Sequence, residues 1–340
     1  MTSLPPPAAS GAERPATNLL QGWRYRAVVA SVVIAAIGYL AFALWSGWSN
    51  VASALGRAGW PAVVAALALS LANYGLRFVR WQLYVAAMDH PLRWWPSLQV
   101  YVAGFAMTTT PGKAGEALRS VFLKAWGVPY TRSLACILSE RLSDLVAIVL
   151  LSLLGLASFP AARPVAGVGI ALVIVLFAAL SSARLLEAAG RRLRGSSRRA
   201  VLARHVVTIL REARRCLSPS LMLRGSLLGL LAWAAEGYAF HLVLSRMGVE
   251  LPVAQAISIY AVALLAGAVS IVPGGLGSAE AVMLWLLHLS GVGASEAVAA
   301  TVLIRLATLW FAVVLGAAAL PGAGAVSRGV PPALASEDAA

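Results

Sequence analysis

The sequence predicts an all-α polytopic integral membrane protein. It should have about six full spans plus two broken or re-entrant helix pairs, arranged as inverted repeats. Three observations predict this. The 340 residues are 60% apolar and 12% charged, where a soluble chain is roughly a quarter charged, and mean hydropathy is +0.81. Several apolar runs reach the roughly 20 residues that cross a bilayer core of about 30 Å. Charged and glycine residues also recur at matched spacing in two halves of the chain. The composition excludes an ordinary cytosolic enzyme and a disordered protein.

The elements follow in chain order. Residues 1–22, rich in Pro, Ala and Ser, read as a disordered tail. Arg24 and Arg26 precede the apolar run 27–48. A signal peptide is the rival reading there, because Ala52-Ser53-Ala54 mimics a cleavage site, but the run exceeds the usual 7–15-residue signal core. Further spans are expected at 61–82, 133–159, 164–182, 220–245 and 295–320, with a second tail at 321–340. Two apolar regions are interrupted: 97–127 at Thr108-Thr109-Thr110-Pro111-Gly112, and 253–290 at Pro273-Gly274-Gly275. Broken helices at membrane depth are tolerated only inside protein or beside a wet cavity. Residues 23–320 thus form one transmembrane domain.

Arginine placement sets the orientation. The linker 183–219 holds ten arginines, from Arg184 to Arg215, opposed by Glu187 and Glu212. Segment 89–132 carries five Lys or Arg residues and 247–294 carries none. By the positive-inside rule the first broken region enters from the cytoplasm and the second from outside, with both termini cytoplasmic in a cell (inner) membrane. Trp45, Trp48 and Trp60 would form an outer aromatic belt, and Trp23, Trp81, Trp94 and Trp95 an inner one. Within the linker, Leu202, Val206, Ile209, Ala213 and Leu217 share one helical face and Arg204, Arg211 and Arg215 the other. This reads as an amphipathic helix on the anionic cytoplasmic leaflet. The formal charge of +14 is therefore assigned to topology, with no nucleic acid as partner. Cys136 and Cys216 imply no disulfide framework.

The repeat lies in the charges. Glu116 and Arg141 are 25 residues apart, as are Glu280 and Arg305. At the same offset of 164, Gly127-Val128 falls on Gly291-Val292. A Pro-Gly break precedes each Glu: Pro111-Gly112-Lys113-Ala114-Gly115-Glu116, and Pro273-Gly274-Gly275-Leu276-Gly277-Ser278-Ala279-Glu280. Repeats are read at about 60–160 and 219–320. One intervening span, 164–182, turns the second copy upside down, a transporter architecture with its site where the breaks approach.

Glu140, Arg141 and Asp144 sit well inside one span and Arg305 deep in another. Isolated ions there cost at least about 2.5–3.5 kcal/mol each, so they need partners or water. Arg141 is positioned to pair with Glu116 or Asp144, and Arg305 with Glu280. These pairs either lock helices together or line a polar cavity for an anionic headgroup. In the second case a helix beginning at Gly112 offers free N–H groups to phosphate, with Lys113, Arg119, Arg141 and Arg305 adding charge. Glu140, Asp144 and Glu280 would carry protons or hold a cationic group. Arg77 and Arg80 read as snorkelling anchors, and Glu236 as a weaker candidate. His241 and His288 show no metal spacing, and no catalytic residue, metal or cofactor is expected.

The stretch Ala103–Asp144, with Thr-Pro-Gly-Lys-Ala-Gly-Glu-Ala-Leu-Arg and Ser-Glu-Arg-Leu-Ser-Asp, resembles the lysylphosphatidylglycerol synthase transmembrane family. The later Val-Pro-Gly-Gly-Leu-Gly-Ser-Ala-Glu resembles that family's second signature. The resemblance covers roughly residues 25–320. It matches Gly112, Gly115, Glu116, Arg119, Glu140, Arg141, Asp144, Pro273, Gly274, Gly277 and Glu280 to signature positions. In two-part members the membrane portion is held to be a lipid flippase, followed by a cytosolic aminoacyltransferase domain. The chain stops at Ala340, so the resemblance implies the flippase-like part alone. The expected function is movement of an anionic or aminoacylated lipid, or a polyprenyl- or hopanoid-type lipid, between leaflets. The rivals are a membrane-embedded transferase on a lipid-linked substrate and a scaffold for a cytosolic lipid-modifying enzyme. Membrane lipids are the expected partners in each.

Overall fold

A computed structural model describes residues 48–109, 116–155, 163–182, 187, 198–270 and 272–329. The expected tail 1–22, nearly all of the span 27–48 and most of the linker before Arg198 lie outside these residues, as do Thr110 to Gly115 of the first break.

The described residues form helices joined by short turns. Helix α1 (Trp48–Ala86) is broken at Gly59, whose φ of 68° and ψ of 167° no L-residue adopts cheaply. Pro61 then opens the long apolar segment, where a missing N–H costs little. After α1 come α2 (Trp94–Ala103), a 3₁₀ turn at Gly104–Met107, and α3 (Leu118–Ala125). The chain continues through α4 (Tyr130–Leu153), α5 (Arg163–Ser181) and α6 (Arg198–Ala213). The second half holds α7 (Pro219–Arg246), α8 (Val253–Val269), a 3₁₀ turn at Pro273–Gly275, and α9 (Ser278–Leu289). It ends with α10 (Ala294–Arg305), a π-helical turn at Leu306–Trp310, and α11 (Phe311–Gly329). The last helix runs through Pro321, past the expected end at 320. Among the described residues three stretches are long and apolar enough to cross a membrane: Gly56–Ala86, Pro219–Arg246 and Ala294–Ser327.

Glycine–valine pairs stop helices in the same way in both halves. Gly127 (φ 82°) and Gly291 (φ 77°) take the left-handed conformation. The next residue then donates back across the last turn, Val128 to Leu123 and Val292 to Leu287. Both bonds satisfy a carbonyl that the helix end would leave orphaned.

Packing is set by small residues and a polar stripe. On α1, Ser70, Asn73, Arg77, Arg80 and Tyr84 recur every three or four residues and are all buried. They face α7, the helix with which α1 makes its most extensive contact. Asn73 donates to the Ala232 carbonyl at 2.8 Å. Gly229 and Gly225 of α7 leave room for Arg80 and Tyr84: a Cβ would meet Arg80 Nη1 at 2.8 Å and the Tyr84 hydroxyl at 2.1 Å. The other contacts come in crossed sets. Helix α4 packs on α7 as α10 packs on α1, and α8 lies on α4 as α2 lies on α11.

Two expectations change. Trp81 is fully buried under the guanidinium of Arg119, 4.6 Å from its ring, so it belongs to no interfacial belt. Trp60, Trp94 and Trp95 are exposed. The linker helix also divides its apolar face. Val207 and Ala213 are buried where α6 meets α4, while Leu202 (67% exposed) and Val206 point outward.

Candidate functional site

The site begins with helix α4, which presents Ser139, Glu140, Ser143 and Asp144 inward. Buried carboxylates are costly unless paired, and α1, α3 and α4 itself supply the cations. Arg80 Nη2 donates to Asp144 Oδ1 at 2.6 Å, and Trp233 Nε1 of α7 donates to the same oxygen at 3.0 Å. Asp144 Oδ2 lies 3.1 Å from Arg141 Nη2 and 3.7 Å from Arg77 Nη2. One carboxylate thus gathers three arginines from two helices.

Arg119 forms a second node. It donates to Glu140 at 2.8 Å and to Glu116 at 2.9 Å. Its guanidinium packs against both Trp81 and Tyr101, 4.6 and 4.8 Å from the ring centroids. Glu116 also meets Arg141 at 3.1 Å. Gly104 makes this possible, because a Cβ there would meet Arg119 Cγ at 2.8 Å.

The second half builds a smaller counterpart. Arg305 Nε donates to Glu280 Oε1 at 2.6 Å, and Arg305 Nη2 to the Gly274 carbonyl at 2.9 Å. Glu280 Oε2 accepts the Gly277 N–H at 2.7 Å and so caps α9. Glu280 therefore ties the second break to α10 through Arg305. The π-turn follows at once, and such turns free backbone carbonyls and cluster at functional sites. Here the Thr308 carbonyl accepts the Tyr74 hydroxyl of α1. Glu236 of α7 accepts the Tyr260 hydroxyl of α8 at 2.7 Å.

Between these clusters lies a cavity of about 330 Å³. Arg77, Glu116, Arg141, Asp144, Glu236 and Arg305 all line it, with Tyr74, Trp233, Tyr260 and Thr308. Leucines and isoleucine from α4 and α8 complete the wall, and Leu172 of α5 closes one side. The two breaks meet at its edge: a Cβ on Gly274 would sit 3.4 Å from the Cα of Thr109. The site offers both charge signs beside an apolar wall, which suits an amphiphile's headgroup. Among the described residues no cluster of His, Cys, Asp and Glu could hold a metal ion.

The expected residues fare differently. Glu116, Arg141, Asp144, Gly274, Gly275 and Arg305 line the cavity. Glu280 stands behind it through Arg305, and Gly277 caps α9 with no place in the wall. Pro273 opens the second break's 3₁₀ turn. Arg119 and Glu140 are sequestered in their own node rather than facing a ligand. Gly112, Lys113 and Gly115 lie outside the described residues. Arg77 and Arg80 are corrected outright. Both are buried and converge on Asp144, so neither snorkels. Tyr74, Trp233 and Tyr260 were not expected.

A family model described as the Lysylphosphatidylglycerol synthase TM region matches residues 28–316. Two proteins of Methanothermobacter thermautotrophicus, each named UPF0104 membrane protein, are similar over most of their length. One is 24% identical over 316 residues, covering 85% of this chain and 94% of its own. The other is 27% identical over 299 residues, covering 82% and 88%.

Proposed function

We propose a lipid-transport role for this chain, which belongs to the Lysylphosphatidylglycerol synthase TM region family. In this reading an anionic or aminoacylated lipid passes its headgroup between leaflets through the central cavity while its chains stay in the bilayer. The observation that carries it is the cavity lined by both charge signs where the two breaks meet. The protein acts as a transporter rather than an enzyme, in the cell membrane with cytoplasmic termini. The α6 arginines would face anionic lipid, and a cytosolic lipid-modifying enzyme is a candidate partner at the same surface.

The mechanism proposed is alternating access between inverted repeats, about 60–160 and 219–320. The crossed contacts support it, since exchanging the halves maps α4 on α7 to α10 on α1. The matched Gly-Val stops and the Glu116–Arg141 and Glu280–Arg305 pairs add independent support.

Two measurements test this. Purified protein in liposomes with headgroup-labelled phosphatidylglycerol and its lysyl ester should speed leaflet exchange above empty vesicles, and Glu280→Gln should slow it. Equal rates in wild type, variant and empty vesicles would sink the transport reading. The inverted arrangement is tested by labelling with a membrane-impermeant maleimide, after replacing Cys136 and Cys216 with alanine. Lys124→Cys should react only from the cytoplasmic side and His288→Cys only from outside; reaction of both from one side removes the inversion.

A further inference from the structure

We infer that Arg77 and Arg141 form a paired anion site for a phosphate ester, and that Asp144 Oδ2 is the internal counter-ion this phosphate displaces. The two oxygens of Asp144 are not equivalent. Oδ1 is anchored by aligned hydrogen bonds from Arg80 and Trp233. Oδ2 sits 3.1 Å from Arg141 and 3.7 Å from Arg77, yet makes no hydrogen bond among the described residues. Arg77 Nε and Arg141 Nε and Nη2 are likewise buried without a hydrogen-bond acceptor there. An unused buried donor costs about 1–3 kcal/mol, so these groups favour a further acceptor.

Position separates these arginines from the others. Arg77 and Arg141 line the cavity, while Arg80 and Arg119 do not. Arg119 spends its N–H groups on Glu116 and Glu140, and Arg305 on Glu280 and Gly274. The Arg77 side chain is 7% exposed, and its guanidinium lies 5.2 Å from the Trp233 ring and 5.9 Å from Phe105. The aromatic faces hold it in place while leaving its edge free for an oxyanion. A phosphate has enough oxygens to bridge two guanidinium groups where one carboxylate oxygen aligns with neither. Its arrival would leave Asp144 neutralised by Arg80. The cavity's 330 Å³ is near the lower end of small-molecule sites, so it takes a phosphate-bearing headgroup and excludes two acyl chains.

The inference rests on the transport reading only for the lipid origin of the phosphate. Calorimetric titration of the full chain in maltoside detergent tests it, with dihexanoyl phosphatidylglycerol, dihexanoylglycerol and inorganic phosphate as probes. Phosphatidylglycerol should bind, and the phosphate-free diacylglycerol at least about tenfold more weakly. Arg77→Gln should weaken phosphatidylglycerol about thirtyfold, and Arg77→Lys less. Asp144→Asn keeps a carbonyl for Arg80 and Trp233 but removes the one carboxylate that faces both Arg77 and Arg141, leaving Glu116 on Arg141 alone, so it should tighten binding severalfold. That gain cannot come from misfolding, and it decides alone should Arg77→Gln fail to fold. Competition by inorganic phosphate would assign the site to phosphate as such; binding without competition would assign it to the lipid headgroup. No phosphatidylglycerol binding, equal binding of the two lipids, or weakening by Asp144→Asn overturns the site. Binding with these variant effects but no leaflet exchange removes the transport reading alone. Exchange with unchanged binding in Arg77→Gln removes the anion pair alone.

Discussion

Replacing Asp144 with alanine is expected to cost about 3–5 kcal/mol of folding stability, among the largest losses any single substitution here produces. The aspartate is the shared counter-ion of Arg80, Arg77 and Arg141. Alanine leaves three guanidinium groups converging on an apolar methyl, and Arg80, fully buried, has no route to water. Trp233 Nε1 loses its acceptor as well. Asp144→Asn should lose less than half as much, since its amide oxygen still accepts from Arg80 and Trp233. Denaturant unfolding in detergent, followed by near-ultraviolet circular dichroism, measures both. Equal losses in the two variants would mean that the charge on Asp144, rather than its acceptor at Oδ1, holds α1 to α4.

The sequence exposed this centre unevenly, and the reasons are physical. Glu116, Arg141, Glu280 and Arg305 were legible because ions in apolar spans must find partners, and equal spacing pointed to them. Arg77 and Arg80 read from sequence as snorkelling anchors because arginines near the end of an apolar span look like them. Their true signal was the stripe through Ser70, Asn73 and Tyr84, together with Gly225 and Gly229 on another helix. That signal exists only when both helices are read at once. The cavity wall was invisible for a different reason. Leu145 and Ile148 inside it match in chemistry Leu223, Leu227 and Leu231 exposed on α7. Lipid is as apolar as a protein core, so composition does not separate the two faces.

The Glu280–Arg305 pair carries the second large effect. Arg305→Met should cost about 3–5 kcal/mol, because it strands the buried Glu280 carboxylate and frees the Gly274 carbonyl. Adding Glu280→Gln to that variant should recover part of the loss. The amide removes the unpaired charge and can still accept the Gly277 N–H that caps α9. The double variant is therefore expected to be more stable than Arg305→Met alone, a non-additivity of at least about 1 kcal/mol in a double-mutant cycle. Additive losses would show that each residue acts separately, Arg305 through Gly274 and Glu280 through its cap. The same cycle read in the leaflet-exchange assay separates folding from function. A double variant that regains stability but not exchange would assign the pair to the moving parts, since Arg305, through Glu280 and Gly274, couples the second break to α10 and its π-turn.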